Sequence, residues 1–376
     1  MRLLIAGGGT GGHLFPAIST AEEFMAREHG NEVLFVGTRA GIEGRILKEK
    51  GFATEFITVS GILGKGVLRA VTGAIKAFWG LGQTVGTIRS FKPHAVLGVG
   101  GYVSGPVVAA AFLMRVPTVI CEQNSRPGFT NKMLGKIADR VMVTYEQSAR
   151  FFPAGKTTVS GNPLRKEILE AGTGAGAGAA RGEKNGALRI FVLGGSQGAR
   201  TLNHTVPEAL GMLSKANVKI VHQTGRKDLA SVRELYEQRG IKAQVEPFID
   251  EIGEVYAGSD LVVSRSGAGT LAEITALGLP SVLVPYPHAA HDHQMENARV
   301  IEDNGAGVVI RDEELSPAML ARVLERILDG ETLYRMGNAS KRLGKPHAAK
   351  VVVDALYEAA GAGGQGQGQG RPYKDN

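Results

Sequence analysis

Short apolar runs, rich in β-branched residues, recur along the chain and alternate with stretches of helical spacing. In the first half, the runs predict strands at Leu3–Ala6, Val33–Val36, Glu55–Val59, Ala95–Val99, Thr118–Cys121 and Val141–Tyr145. In the second half, they predict strands at Leu188–Leu193, Val218–Gln223, Gln244–Phe248, Leu261–Ser264, Ser281–Pro285 and Val308–Ile310. Strands that alternate with helices form parallel sheets covered on both faces, so the pattern predicts an α/β fold.

Both halves open in the same way, with an apolar strand, a glycine-rich loop and a helix. The first loop is Gly7–Gly12 and the second is Gly194–Gly198. This repetition predicts two Rossmann-like, doubly wound parallel-sheet domains that face each other across a cleft. Because ligands of such sheets bind beyond the carboxyl ends of the strands, both loops are expected to line the cleft.

Composition marks the borders of these domains. A Gly/Ala-rich stretch separates the two halves, and the chain ends in a Gly/Gln-rich segment. We expect a first domain over residues 1–165, a linker over 166–187, a second domain over 188–360 and a disordered tail over 361–376.

The 376 residues carry a net charge of +7 and a single cysteine, Cys121. One cysteine excludes a disulfide framework and fits a reducing compartment, and no secretory signal is recognised. The positive charge indicates an acidic partner, and nucleic acid, an anionic membrane and a phosphorylated substrate all qualify. Residues 95–114 are uncharged and long enough to span a membrane, but their glycines and Pro106 divide the run into strand, turn and helix.

Gly7, Gly9 and Gly12 have the spacing of the dinucleotide-binding fingerprint. A nicotinamide enzyme also needs an acidic residue at the end of the second strand to bind the ribose. That strand runs into Gly37, Thr38 and Arg39 without a carboxylate, which disfavours a dehydrogenase. The loop instead indicates a phosphate or diphosphate that is held by backbone amides at a helix N-terminus.

His13 follows the first glycine loop, at the entrance of the next helix. A lone histidine in this place can simply cap the helix or pack against it, and this interpretation stays open. The loop leaves room for a ligand, however, so His13 is also a candidate general base. An ordinary histidine pKa of about 6.5 suits proton abstraction from a sugar hydroxyl near neutral pH.

Two further segments combine a strand end with glycines. Gly98–Pro106 serves either tight packing of strand on helix or binding of a second anion, which suits an acceptor with a diphosphate. In Ser264–Glu273, Thr270 and Glu273 have the spacing of a capping box. The same helix end can hold a phosphate, and Glu273 can bind a ribose; the pattern does not separate these interpretations.

The segment after residue 290 bears on metal and sugar binding. His291, Asp292 and His293 match no common zinc pattern, and the sequence contains no Asp-x-Asp pair to hold a divalent cation. No metal or other cofactor is therefore expected. Gln294 and Asn297 lie three residues apart and share a face of a helix, where we expect contacts with sugar hydroxyls.

The stretch from Lys65 to Arg89 is an amphipathic helix with basic residues at its borders. Its apolar face holds Leu68, Val71, Ile75, Phe78 and Trp79. Such a helix either packs on the core of the first domain or lies on a membrane surface, and both interpretations stay open. For the membrane, the predicted contacts are Ile75, Phe78 and Trp79 in the apolar interface and Lys65, Arg69 and Lys76 at anionic headgroups.

Seven motifs, in this order along the chain, resemble those of the bacterial MurG glycosyltransferase family. They are Gly9-Thr-Gly-Gly-His13, Gly100-Gly-Tyr-Val-Ser-Gly-Pro106, Glu122-Gln-Asn124, Gly161-Asn-Pro-Leu-Arg165, Gly194-Gly-Ser-Gln-Gly-Ala199, Ser264-Arg-Ser-Gly-Ala268, and Gln294 with Asn297. Only the linker and the tail lie outside the resemblance. This family transfers N-acetylglucosamine from its UDP donor to undecaprenyl-diphospho-N-acetylmuramoyl-pentapeptide, which converts lipid I into lipid II.

The resemblance implies a GT-B architecture, with the acceptor mainly on the first domain and the donor on the second. The implied UDP-N-acetylglucosamine contacts are Thr10, Gly11, Gly12, Asn124, Arg165, Ser196, Ile249, Ala268, Gly269, Thr270, Leu271, Glu273 and Gln294. The implied catalytic residues are His13 and Glu122, and the implied acceptor-diphosphate contacts are Gly9, Gly101, Tyr102 and Ser104. The family often has histidine before Glu122, where this chain has Cys121, so a catalytic role for that histidine is not carried over.

The reaction implied by the resemblance is an inverting transfer, in which the acceptor 4-hydroxyl attacks the anomeric carbon of the donor and UDP leaves. The implied partners are UDP-N-acetylglucosamine, the lipid-linked acceptor, an anionic membrane surface and proteins of cell-wall synthesis and division, but no nucleic acid. The implied location is peripheral, on the cytoplasmic face of the inner membrane. An epimerase or hydrolase of UDP-sugars and a non-enzymatic nucleotide-binding scaffold stay open as rival functions.

Overall fold

The computed structural model describes residues 1–8, 11–39, 43–59, 67–173, 187–213 and 217–361, and for residues 67–77 it describes the backbone alone. Three residues with predicted roles, Gly9, Thr10 and Lys65, lie outside the described residues. So do residues 174–186 of the predicted linker and the predicted tail after Gly361.

Thirteen strands lie within the described ranges. They are β1 (Arg2–Ala6), β2 (Glu32–Gly37), β3 (Ala53–Phe56), β4 (Ala95–Gly98), β5 (Thr118–Glu122), β6 (Arg140–Val143), β7 (Thr157–Val159), β8 (Leu188–Leu193), β9 (Val218–Gln223), β10 (Ala243–Glu246), β11 (Leu261–Ser264), β12 (Ser281–Leu283) and β13 (Gly307–Val309).

Fifteen α-helices accompany these strands in the described part of the chain. They are α1 (Gly11–Arg27), α2 (Glu43–Glu49), α3 (Val67–Phe91), α4 (Gly101–Leu113), α5 (Phe129–Ile137), α6 (Glu146–Ala149), α7 (Lys166–Thr173), α8 (Arg200–Met212), α9 (Leu229–Gln238), α10 (Ile252–Ala257), α11 (Ala268–Ala276), α12 (His293–Asp303), α13 (Pro317–Ile327), α14 (Gly330–Leu343) and α15 (Ala348–Ala359).

The strands form two separate sheets with parallel pairing throughout. The first has the order β3-β2-β1-β4-β5-β6-β7, and the second has the order β10-β9-β8-β11-β12-β13. In each sheet the order reverses beside the first strand, between β1 and β4 and between β8 and β11. Loops diverge at these two points, and a crevice opens beyond the carboxyl ends of the strands. The predicted pair of Rossmann-like α/β domains is confirmed.

The strand predictions agree with the structure except at two sheet positions. All twelve predicted strands overlap an observed strand, although β3 begins two residues before the predicted Glu55–Val59. The sequence pattern did not predict β7, which has three residues and lies at the edge of its sheet. Such a strand buries too little apolar surface to produce a recognisable run.

The uncharged stretch at 95–114 forms a strand, a glycine turn and a helix, as predicted. Strand β4 is fully buried, Gly100 and Gly101 make the turn with φ of +99° and +78°, and α4 follows. Among the described residues, no helix has the length and apolar character needed to cross a membrane.

Two helices lie outside the predicted domain borders. The predicted linker begins with α7, whose Ile168 is completely buried in the core of the second sheet. The prediction also placed residues up to 360 in the second domain. Helix α15 instead packs on the first sheet, where Val352, Val353 and Leu356 join Leu3 and Ile5 in one core. The chain therefore crosses between the sheets a second time, near residue 344.

Candidate active site

The carboxyl ends of both sheets meet at one cleft, which side chains of the two domains bridge. Asn297, on α12 of the second domain, is completely buried. Its side-chain oxygen accepts a hydrogen bond from the Ser125 amide at 2.8 Å, and its side-chain nitrogen donates to Asn124 Oδ1 at 3.2 Å. Asn297, predicted to contact sugar hydroxyls, is therefore occupied with the loop after β5.

A second bridge joins the crossing segment before α7 to both domains. The Arg165 guanidinium pairs with Glu273 of α11 at 2.7 Å. The same guanidinium lies over the ring of Phe15 on α1, 5.0 Å from the ring centroid. Arg165 and Glu273, both predicted to contact the donor, thus neutralise each other in this structure.

His13 lies in the first turn of α1 and packs against the glycine turn after β4. A Cβ atom on Gly100 would come within 2.9 Å of the His13 Nε2 atom. Only glycine leaves room for the ring here, and its φ of +99° disfavours any other residue. The His13 ring at the start of α1 is therefore packed directly on the glycine turn after β4.

The surroundings of His13 keep its ring uncharged at neutral pH. Burial and, as the smaller cause, the charge of His293 on α12 together lower the pKa of His13 from 6.5 to about 4. His293 belongs to the second domain, so approach of the two domains contributes to this shift. A neutral imidazole has a free lone pair and can accept a proton.

The N-terminus of α11 faces the cleft from the second sheet. The helix begins at Ala268 after Gly267, and no side chain caps it. The first amides of a helix have no acceptor within the helix, so those of Ala268, Gly269 and Thr270 present donors and a partial positive charge. Thr270 and Glu273 do not form the alternative capping box, because Thr270 lies in the third helical position and Glu273 pairs with Arg165.

The sequence of both domains matches known proteins. Two family models match the chain: the glycosyltransferase family 28 N-terminal domain over residues 3–143, and its C-terminal domain over residues 189–352. The UDP-N-acetylglucosamine–N-acetylmuramyl-(pentapeptide) pyrophosphoryl-undecaprenol N-acetylglucosamine transferase of Geobacter sulfurreducens is 46% identical over 95% of this chain and 98% of its own length. The protein of that name from Myxococcus xanthus is 44% identical, over 95% and 93%. The chain belongs to this glycosyltransferase family.

Solved structures agree with this membership. The MurG of Acinetobacter baumannii is 30% identical and has a TM-score of 0.78, with 95% of this chain and 99% of that chain covered. A UDP-N-acetylglucosamine 2-epimerase from Neisseria meningitidis has a TM-score of 0.67 at 12% identity, over 95% and 100%. The second likeness shows the fold alone. The predicted MurG family is confirmed, and the rival epimerase and scaffold functions lose their support.

Glu122, predicted to be catalytic, is occupied with its own loop. It is 3% exposed, and its carboxylate accepts hydrogen bonds from the amides of Asn124 and Gly128 and from the side chains of Asn124 and Asn131. Burial raises the pKa of Glu122, and these bonds oppose the shift. The geometry gives Glu122 the role of holding the loop that meets Asn297.

Two further predicted contacts lie below the surface of the cleft. Ser104 is completely buried, and its hydroxyl accepts from the Gly100 amide and lies within hydrogen-bond distance of the Ala6 and Gly100 carbonyls. Ser104 therefore ties β1 to the glycine turn after β4, and its side chain does not reach the acceptor substrate. The Leu271 side chain is 1% exposed, so it does not reach the UDP-sugar. The Leu271 amide donates to the Gly267 carbonyl within the helix. Tyr102, in contrast, is 64% exposed at the start of α4.

The second domain carries three further residues for which the resemblance implied donor contacts, Ser196, Ile249 and Gln294. Gln294 organises the rim of the cleft, because its side-chain oxygen accepts from the Tyr286 amide and its carbonyl accepts from the Ser266 hydroxyl. Ser196 is exposed on the loop after β8. The side chain of Gln223 joins this loop to Ile249. Its nitrogen donates to the Gly195 carbonyl, and its oxygen accepts from the Ile249 amide.

Sequence reasoning missed Gln223, Gln123 and the proximity of His293 to His13. Gln223 ends β9 and Gln123 directly follows β5, so a polar residue at the carboxyl end of a buried strand was the available signal. Gln123 is 2% exposed; its side-chain nitrogen donates to the Val99 carbonyl, and its side-chain oxygen has no hydrogen-bond partner among the described residues. No group of three or more potential metal ligands occurs in the described part of the chain.

The predicted membrane helix is α3. Phe78 and Trp79 are 77% and 67% exposed, so these two side chains do not belong to the core, although Ile88 near the end of α3 does. The neighbouring helices α4 and α5 carry further exposed apolar side chains on the same face of the first sheet: Phe112, Leu113, Phe129 and Met133. The side chains of Arg69, Ile75 and Lys76 lie outside the described residues, and so does Lys65.

Proposed function

We propose that this protein transfers N-acetylglucosamine from UDP-N-acetylglucosamine to the 4-hydroxyl of undecaprenyl-diphospho-N-acetylmuramoyl-pentapeptide, the step that converts lipid I into lipid II. Its family membership supports the donor, the acceptor and the class of reaction. The observation that carries the proposal is the meeting of a neutral histidine and an uncapped helix N-terminus in one cleft. His13 comes from the first sheet, and α11 comes from the second.

The proposed step has one base and one displaced group. The acceptor 4-hydroxyl oxygen attacks the anomeric carbon, and its proton passes to the neutral His13 ring. The bond between the anomeric carbon and the diphosphate oxygen breaks, and UDP takes the electron pair. Attack from the face opposite the leaving group inverts the anomeric centre. A positioned general base contributes about 10²–10⁴-fold to such a rate.

The leaving diphosphate is stabilised by backbone dipoles of the second domain. The first amides of α11 at Ala268, Gly269 and Thr270 donate to its oxygens, because an uncapped helix N-terminus carries about half a positive charge. Glu273 binds the ribose hydroxyls once Arg165 releases it. The remaining donor contacts come from Gly11, Gly12, Thr10, Asn124, Ser196, Ile249 and Gln294.

The acceptor approaches from the first domain and from a membrane. The amides of Gly9 and Gly101 bind its diphosphate, and the exposed Tyr102 follows Gly101 at the start of α4. The exposed side chains of Phe78 and Trp79 contact the lipid surface. In this proposal Ile75 joins them there, and Lys65, Arg69 and Lys76 bind anionic headgroups. We propose that the protein works at the cytoplasmic face of the inner membrane, near other proteins of cell-wall synthesis and division.

The test is transfer of labelled sugar to a lipid. UDP-N-acetylglucosamine with label in the sugar is incubated with the protein and with membranes that contain the acceptor, and the lipid fraction is extracted. We expect label in the lipid fraction and release of one UDP for each sugar transferred. Label that stays water-soluble as N-acetylmannosamine or free sugar would instead identify an epimerase or a hydrolase and would contradict the proposal.

A further inference from the structure

A second space between the two domains lies apart from the cleft. It is a cavity of about 250 Å³, and residues of both domains line it. The first domain contributes Asn162, just after β7, and Gln147 of α6; the second contributes Asn304, after α12, and Arg342 of α14. None of the residues that the proposed reaction uses lines this cavity.

One buried polar side chain of this cavity, that of Asn162, lacks hydrogen-bond partners among the described residues. Asn162 is 3% exposed, and neither its side-chain nitrogen nor its side-chain oxygen has a hydrogen-bond partner among the described residues. Leaving a buried donor or acceptor unpaired costs about 1–3 kcal/mol, so native proteins satisfy nearly all of them by protein, water or ligand. Asn162 thus carries both a donor and an acceptor that the surrounding protein does not use.

The charges of the lining favour an anion. Arg342 and Lys345 line the cavity, and neither forms an ion pair with a described residue. The one carboxylate in the lining is Glu146, which is exposed. The cationic donors therefore outnumber the acidic acceptors.

The position of Lys345 is held by the backbone. Gly161 has a φ of +82°, and a Cβ atom there would lie 2.3 Å from the Lys345 Cβ. Only glycine permits this approach of the two segments that connect the domains. The packing of the crossing segments therefore places the start of the Lys345 side chain against Gly161, the neighbour of Asn162 in the sequence.

We propose that this interdomain cavity binds a small oxyanion of the phosphate class, with Arg342 and Lys345 pairing with its charge and Asn162 hydrogen-bonding to it. A phosphate supplies acceptor oxygens for the cations and for the amide N–H, and its remaining hydroxyl donates to the amide oxygen. The volume of about 250 Å³ accommodates inorganic phosphate or a small phosphate ester. This site is separate from the donor and acceptor sites of the proposed reaction.

Methyl resonances inside the cavity provide a local test. Val300, Ile301 and Leu343 line it. The full-length protein, methyl-labelled at isoleucine, leucine and valine and saturated with UDP to fill the nucleotide site, is titrated with inorganic phosphate at constant ionic strength. We expect saturable shifts of these methyl signals, with a dissociation constant roughly in the millimolar range.

Paired variants decide which groups bind the anion. Arg342→Gln with Lys345→Gln should weaken the phosphate-dependent shifts at least about tenfold, since both charge-assisted hydrogen bonds are lost. Arg322→Gln with Lys350→Gln makes the same change in charge at exposed positions outside the cavity and should leave the shifts intact. Asn162→Asp has nearly the same shape but adds a negative charge, and it should abolish them.

Two results would overturn the proposal. The first is the absence of saturable shifts at these methyls at phosphate concentrations that saturate any millimolar site. The second is an equal response in wild type and in the Arg342/Lys345 variant, or an equal response to chloride, either of which would mark general screening. Melting curves of each variant establish that it is folded before it is compared, and the Arg342/Lys345 variant changes only exposed side chains.

Discussion

His13 illustrates how much of a residue's chemistry depends on its neighbours. In the sequence it is a histidine with an ordinary pKa, able either to cap a helix or to act as a base. In the folded protein its ring lies against Gly100, and burial followed by the charge of His293 lowers the pKa to about 4. The residue is therefore unprotonated over the whole range in which transfer is expected.

Replacing His13 by alanine should remove most of the turnover and leave donor binding intact. A general base contributes about 10²–10⁴-fold, so kcat should fall by that factor while the dissociation constant of UDP stays within about twofold. Steady-state rates and UDP titration measure the two quantities. His29→Ala is the control, because His29 is exposed in the turn that follows α1. Turnover of the His13 variant within threefold of wild type would exclude a general base at this position.

The lowered pKa of His13 predicts an acid limb at unusually low pH. At pH 6, a histidine with a pKa of 6.5 is only about one quarter neutral, whereas one with a pKa of 4 is about 99% neutral. We expect kcat/KM to show no loss attributable to His13 between pH 8 and pH 6. The folded pKa lies below the unfolded value, so this group's contribution to stability is complete above about pH 6.5 and is lost as pH falls towards 4. A ¹⁵N-resolved titration of His13 with a midpoint near 6.5 would contradict this account.

Glu273 is expected to act in donor binding and not as a helix cap. It pairs with Arg165 and has no capping partner in α11, so Glu273→Gln should raise the donor KM by about tenfold through loss of a charged acceptor for the ribose hydroxyls. The KM of UDP-N-acetylglucosamine at saturating acceptor measures this. Ser316, a true N-cap whose hydroxyl accepts from the Met319 amide, supplies the contrast. Ser316→Ala should lower the melting temperature and leave the donor KM unchanged. If Glu273→Gln instead lowers the melting temperature and leaves the donor KM unchanged, Glu273 is a structural residue and the assignment is wrong.

At the scale of the element, α3 shows two faces with different surroundings. Ile88 is buried in the core of the first domain, whereas Phe78 and Trp79 are mostly exposed. A large exposed apolar patch on one side of a domain marks an interaction surface. Two large exposed apolar side chains side by side on α3 fit a helix face that touches lipid better than one that packs on the core.

Phe78→Ser with Trp79→Ser should weaken binding to vesicles and spare the fold. Each apolar side chain contributes at most about 1.5–3 kcal/mol when it is removed from water, so loss of both should reduce the partition coefficient at least about tenfold. Sedimentation with vesicles of mixed neutral and anionic lipid measures this, and the melting temperature should change little because both residues are exposed. Tyr334→Ser, an equally exposed aromatic of the second domain, is the control. Unchanged binding, or a sharp loss of thermal stability, would contradict the membrane assignment.

At the scale of the whole molecule, the last described helix, α15, packs on the domain that begins with β1. Helix α15 places Leu356 and Tyr357 in the core beside β1, and the Tyr357 hydroxyl accepts from Asn31, which also binds the amino terminus. The core of the first domain is therefore built from residues that precede the second domain in the sequence and residues that follow it. Two crossings, near residues 165 and 344, join the domains, and the cavity with Asn162 lies beside both.

Leu356→Ala should destabilise the first domain although Leu356 follows the second domain in the sequence. A fully buried leucine leaves a cavity, at a cost of about 2–5 kcal/mol. Hydrogen exchange of the β1 amides should accelerate, while exchange in β8 of the second sheet should change little. Glu358→Ala, exposed on the same helix, is the control. Faster exchange in β8 with protection retained in β1 would show that α15 belongs to the second domain.

Local sequence patterns determined most strands of this protein and the positions of its glycine turns. Parallel strands buried on both faces need continuous apolar runs, so β1 and β8 were readable, and glycine turns such as Gly100–Gly101 follow from the conformations that only glycine adopts readily. The three-residue β7 was not readable, because it buries too little. Contacts between residues far apart in sequence were decided by the tertiary structure alone. The docking of α15 on the first sheet, the bonding of Asn297 to the loop after β5, the full occupation of the Glu122 carboxylate and the neutral state of His13 all depend on which surfaces meet and how much water they exclude, and no local pattern encodes that.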